Sequence, residues 1–142
     1  LDVVRNGSEK TCVSPLGRTL QTARLTLAPG AEFLVDDRLQ EVDFGAWEGA
    51  TREDIKTQIN CSFEGRAWYF LSPGGETFGT IYDRAFSFLR DLTGPAIIVT
   101  HGVTSIVLRG LCLGLDQTAM LRLSVEQGCI FKLSKGEETI LR

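Results

Sequence analysis

Ala96-Ile97-Ile98-Val99-Thr100-His101-Gly102 is the stretch whose reading decides the fold. Ala96 to Val99 is an unbroken apolar run of β-branched character, and it lacks the alternation of a half-solvated strand. It therefore reads as a strand buried on both faces. Thr100-His101-Gly102 leaves that strand at once. Val103, Ile106, Val107 and Leu111 then recur at helical spacing. A buried strand running straight into a helix is the repeating unit of a parallel α/β sheet.

Upstream, Gly94-Pro95 breaks a helical pattern that begins near Glu76 and runs through Phe78, Ile81, Ala85, Phe88 and Leu92. The irregular stretch from Asn60 to Gly75 before it carries Trp68, Tyr69 and Phe70. Thr51 can cap a further helix, with Asp54 at the capping-box position. Asp43 to Gly49 forms a glycine-bounded loop, and Phe33 to Val35 a short strand. Leu16, Leu20, Ala23 and Leu27 define an amphipathic helix that stops at Pro29-Gly30, after a strand from Lys10 to Ser14. Downstream, Cys129 to Leu133 and Thr139 to Leu141 read as closing strands around a Lys135-Gly136 turn. The alternation predicts one domain over residues 1–142, a three-layer α/β/α fold with a mostly parallel sheet.

Composition narrows the function. The chain has 142 residues, 43% hydrophobic and 23% charged, with a net charge of -3. A pI near 5.2 lacks the basic footprint of a nucleic-acid binder. No apolar run approaches the ~20 residues of a membrane span, and no secretory signal is visible, so a cytoplasmic protein is expected. The chain begins at Leu1, as a processed product or a fragment would. Cys12, Cys61, Cys112 and Cys129 are scattered and share no zinc-ligand spacing with His101, the single histidine. Reduced thiols and no metal are expected.

Three segments could carry chemistry. Ser14-Pro15-Leu16-Gly17-Arg18 turns a strand into a helix, and Arg18 sits in a first turn where the macrodipole disfavours a cation. It is either a solvated surface arginine or a ligand for an anion that also uses the free helix N–H groups. Thr100-His101-Gly102 has the same strand-to-helix setting. A lone histidine is commonly structural, but its position after a buried strand and before a glycine favours function. Leu39 to Gly49 supplies three carboxylates (Glu41, Asp43, Glu48) and two aromatics, Phe44 and Trp47. A carboxyl group beside aromatic walls can serve as a general acid.

Taken in order, Ser14-Pro15-Leu16-Gly17-Arg18-Thr19 with Gln21-Thr22-Ala23, Leu39 to Gly49, Pro73-Gly74-Gly75-Glu76-Thr77 and Val99-Thr100-His101-Gly102 resemble the histidine phosphatase superfamily. This is the phosphoglycerate-mutase-like fold, and the resemblance covers roughly residues 10 to 133. It implies that Arg18 and His101 hold a phosphoryl group, with Gly102 beside them, and that Glu41 is the acid protonating the leaving oxygen. It also implies a small phosphorylated metabolite as substrate, inorganic phosphate or vanadate as ligands, and no cofactor.

One departure stands out. The family's Arg-His-Gly motif, whose histidine accepts the phosphoryl group, is absent; Arg5-Asn6-Gly7 is its nearest counterpart. Asn is neither basic nor nucleophilic at neutral pH, although it can donate a hydrogen bond to a phosphate oxygen. Only Ser8 to Val13 separate this triplet from the Ser-Pro-Leu block, where the family has a long stretch with a helix. Three explanations remain open. An internal segment is missing and Asn6 occupies the nucleophile's seat, with Arg5 as a second phosphate clamp. Alternatively the true first strand is lost and Leu1 to Gly7 precedes the next strand. The third is a naturally shortened pseudoenzyme. Apolar surface uncovered by such a loss leaves room for a homodimer.

Between Ala50 and Pro73 the chain holds only Arg52 and Arg66, unlike the long basic insertion of the glycolytic mutases. The resemblance thus points to an impaired phosphomonoester hydrolase, closest to small compact phosphatases such as those acting on α-ribazole phosphate. A non-catalytic phosphate-ester-binding module is the rival, and a mutase-like phosphotransferase the weaker one. Trp68, Tyr69 and Phe70 either wall a leaving-group pocket or cover the helix that begins near Glu76.

Overall fold

The computed structural model describes residues 9–59 and 65–142. Three parallel strands form the central sheet: β1 (Lys10–Val13), β2 (Leu34–Val35) and β3 (Ala96–Val99), in the order β2-β1-β3. Val13 pairs with Val35 on one side and with Val99 on the other. The chain passes from β1 to β2 through helix α1 (Gly17–Thr26), then back across β1 to β3 through α3 (Phe78–Asp91). These crossovers run in opposite directions. Right-handed crossovers, the rule for parallel strands, then place α1 and α3 on opposite faces, which gives the expected three layers.

Helix α4 (Gly102–Leu113) follows β3 and packs beside α3. Cys12, Ile81, Ala85, Phe88, Val103 and Val107 share one apolar cluster, with Ile98 against it. On α1, Ala23 is fully buried. The small helix α2 (Arg52–Gln58) starts on the expected capping box: the Thr51 hydroxyl accepts from the Asp54 N–H, and the Asp54 carboxylate accepts from Thr51. Trp47, Ile55 and Trp68 form a second cluster.

The aromatic run covers the start of α3 and part of the second cluster. Phe70 meets Phe78, at the start of α3, edge-to-face at 5.4 Å, and Trp68 packs on Trp47. After the short α5 (Gln117–Met120), strands β4 (Ile130–Ser134) and β5 (Glu137–Leu141) pair as a separate antiparallel hairpin. Its two-residue turn needs positive φ at both positions, and Lys135 and Gly136 adopt 54° and 77°.

One expectation fails. Among the described residues β3 is an edge strand, and Ile97 is 40% exposed rather than buried. The apolar run reads as doubly covered because every side chain is hydrophobic. Cover depends on neighbouring elements, and only the Ile98 side meets the α3–α4 cluster. The second strand is also shorter than expected, beginning at Leu34 rather than Phe33. No helix among the described residues is long and apolar enough to cross a membrane.

Candidate active site

Because β1 and β3 are parallel neighbours, the segments leaving their C-terminal ends emerge side by side. The Ser14 N–H continues the ladder by donating to the Val99 carbonyl at 3.0 Å. In open α/β sheets this is where ligands bind. Ser14 and Arg18 come from one exit, His101 and Gly102 from the other.

The Arg18 Nε–H donates to His101 Nδ1 at 3.0 Å. Nδ1 is therefore the unprotonated ring nitrogen. The proton of the neutral ring then lies on Nε2, 2.7 Å from the Ser14 hydroxyl oxygen, which accepts it. His101 is buried, and its pKa falls to about 4, first through burial and then through the charges of Arg18 and Arg84. It is a neutral hydrogen-bonding group at physiological pH. Arg18 is exposed, and no carboxylate among the described residues pairs with it.

Glu41 lies against the start of α4. Its carboxylate accepts from the N–H groups of Val103 at 3.3 Å and Thr104 at 3.2 Å, and from that of Val42 at 3.1 Å. These bonds satisfy two of the first-turn amides that the helix itself leaves unpaired. A Cβ placed on Gly102 would stand 3.8 Å from Glu41 Oε2, so Glu41 and Gly102 are adjacent. Arg18, His101, Gly102 and Glu41, four residues singled out from the sequence, are thus brought to one end of the sheet. Arg5 and Asn6 lie outside the described residues.

The loop carrying Glu41 is held from several sides. Thr100 donates through its hydroxyl to the Leu39 carbonyl at 2.7 Å, and Thr104 does the same to that of Gln40. Gly45 has φ +49° and approaches the loop that precedes α3 so closely that a Cβ would lie 2.6 Å from the Pro73 oxygen. Arg84 of α3 pairs with Glu76 through Nε at 2.6 Å and Nη2 at 2.8 Å.

Sequence reasoning missed both the Ser14–His101 contact and Arg84. The available signal for Arg84 was a cation beside the buried positions Ile81 and Ala85, eight residues after Glu76. Arg66, read as one of only two arginines in a short cover, donates to the carbonyls of Leu121 and Leu123. Two open clefts, of about 420 and 460 Å³, are lined by neither Arg18, Glu41 nor His101. Cys12, Cys112 and Cys129 are free thiols. Among the described residues no group of three His, Cys, Asp or Glu side chains could hold a metal ion.

An α/β fold with a parallel sheet thus brings an arginine, a histidine and a carboxylate to one strand end, the place where such folds take ligands. The model of the histidine phosphatase superfamily (branch 1) matches residues 4–140, and the chain belongs to that family. It is 29% identical over 114 residues to phosphoserine phosphatase 1 of Hydrogenobacter thermophilus, covering 72% of this chain and 53% of that protein. It is likewise 29% identical over 138 residues to a protein of Enterobacter sp. (strain 638) named "Probable phosphoglycerate mutase GpmB", covering 87% and 62%.

The chain thus spans between about half and three-fifths of the length of these relatives. In fold it resembles the α-ribazole phosphatase of Shigella flexneri, with a TM-score of 0.72 and 24% identity over 94% of this chain and 71% of the other.

Proposed function

We propose that this chain is a phosphomonoester hydrolase of the histidine phosphatase type, with turnover lowered because Asn6 stands where the phospho-accepting histidine is expected. The observation that carries this reading is the meeting of Arg18, His101 and Glu41 at the ends of β1 and β3. In it, the Arg18 guanidinium grips phosphoryl oxygens, a geometry that planar paired N–H groups suit. His101, neutral and buried, contributes its Nε2–H, which turns from the Ser14 hydroxyl to a phosphoryl oxygen with no change of charge near pH 7. Gly102, beside His101 at the start of α4, completes the phosphate contacts. Glu41 supplies the proton that the departing alkoxide oxygen requires. Arg5 is a second clamp on the phosphate.

The phosphatase reading is preferred over phosphotransfer because the segment from Ala50 to Pro73 is short and its arginines are engaged elsewhere. Arg66 holds two backbone carbonyls, and the Arg52 guanidinium lies over the Trp68 ring, 5.8 Å from its centroid. The similar proteins named above are named for different phosphate esters, so the substrate is given only as a small phosphorylated metabolite.

The test is hydrolysis of an aryl phosphate by the chain and by Asn6→His. Expected is a gain of at least about a hundredfold in the variant, since a positioned nucleophile is being restored. Equal and high activity in both would refute the assignment of Asn6. No activity in either, with phosphate still raising the melting temperature, would favour the non-catalytic binding module.

A further inference from the structure

The Arg84–Glu76 pair does more than join a helix to the loop before it. Besides its two bonds to Glu76, the Arg84 guanidinium donates from Nη1 to the carbonyls of Arg38 at 2.6 Å and Gln40 at 3.0 Å, and from Nη2 to that of Glu41 at 3.4 Å. The far end of the same segment is held by the partner carboxylate. The Glu76 N–H donates to the Asp43 carbonyl at 2.8 Å, and Glu76 Oε2 accepts from the Asp43 N–H at 3.4 Å. The backbone from Arg38 to Asp43 is therefore gripped on both sides of Glu41. The side chains doing it are only 17% and 10% exposed.

We infer that Arg84, paired with Glu76, is a positioning residue for Glu41: it sets the loop so that the Glu41 carboxylate lies on the Val103 and Thr104 amides, beside His101. The three carbonyls that Arg84 reaches, those of Arg38, Gln40 and Glu41, all belong to the short segment that ends in the site's acidic residue. The planar fork is required. A lysine could satisfy Glu76, but one ammonium cannot also reach three carbonyls. Once released, the loop leaves those carbonyls short of donors and Glu41 free to leave the helix end.

The catalytic consequence of this inference rests on the phosphatase reading above, while the placement of Glu41 does not, and two measurements keep them apart. The first is residue-resolved amide hydrogen exchange on the chain, on Arg84→Lys and on Glu76→Gln. Expected is exchange at Val103 and Thr104 faster by about tenfold or more in both variants, with Val107 and Leu108 unchanged. Unchanged exchange at Val103 and Thr104 would overturn the inference. So would uniform acceleration along α4, the mark of a merely structural pair.

The second compares an alkyl phosphate with dinitrophenyl phosphate in the Asn6→His background. An alkoxide needs a proton to depart and a dinitrophenolate does not. Arg84→Lys should therefore lower kcat on the alkyl ester by at least about tenfold and on the aryl ester by about threefold at most. Equal losses on both esters would refute a role through the acid. Failure of Asn6→His to hydrolyse either ester would sink the phosphatase reading, and the exchange result would then decide the positioning role by itself.

Discussion

At its start, α4 meets Glu41, His101 and, through His101, the exposed Arg18; further along the same helix, Arg109 meets Glu138 of the C-terminal hairpin. Arg109 donates to both Glu138 oxygens, at 2.6 and 2.7 Å, and to the Ser124 carbonyl at 2.7 Å. Its guanidinium also lies over the Phe131 ring, 3.6 Å from the centroid, and the residue is 3% exposed. Every strong acceptor that this cation needs comes from the protein, and the result is a fastening between α4 and β5.

Arg18 differs on each count. It is exposed, and its one side-chain acceptor among the described residues is an uncharged imidazole nitrogen. The same residue type thus has its acceptors within the fold on α4 and, on α1 beside the start of α4, an exposed guanidinium. The count of acceptors supplied by the fold separates the two roles, while the arginine itself is common to both.

The largest expected effect tests the Arg109 fastening. Glu138→Gln leaves the Arg109 charge buried without its counter-charge and should destabilise the fold by about 3–5 kcal/mol, measured by urea unfolding. A loss under about 1 kcal/mol would show that solvent reaches Arg109, and the contrast would collapse.

A smaller effect probes His101. Its pKa is about 4 in the fold against an ordinary 6.5, so the unfolded chain takes up the proton first as pH falls. Stability should therefore decline between about pH 6.5 and pH 4, by roughly 3 kcal/mol in all, and be level in this respect above that window. His101→Gln should remove that part of the slope in a series of pH-dependent melts. A slope unaltered by the substitution would mean that other groups are responsible.

The smallest change in stability is expected at Arg18. Arg18→Ala should shift the unfolding free energy by no more than about 0.5 kcal/mol, as an exposed side chain does. If Arg18 holds the phosphoryl group as proposed, inorganic phosphate raises the melting temperature of the chain and not that of Arg18→Ala. A large destabilisation would instead make Arg18 a fastening like Arg109.

Local order was legible in the sequence wherever neighbours along the chain carry it. The Thr51–Asp54 capping box, the apolar spacing of the helix from Phe78 and the Lys135-Gly136 turn all depend on residues a few positions apart. The strand-to-helix exits at Ser14 and His101 were legible for the same reason. So was the candidacy of Arg18, Glu41 and His101, since the motif order carries it. Cover of the sheet was not, and Ile97 shows why. An apolar side chain reads the same in a sequence whether or not another element lies over it.

By itself, then, the sequence determined which segments become strands and helices and which residue types stand at their ends, because backbone dihedrals and periodicity are set over one or two turns of chain. Only the tertiary structure decided which charges meet. Arg18 and His101 are 83 residues apart, Arg84 and the Arg38 carbonyl 46, and Arg109 and Glu138 29. Such pairs depend on strand order and helix packing. The same forces decide whether a guanidinium finds all of its acceptors inside the fold or keeps N–H groups available for a ligand.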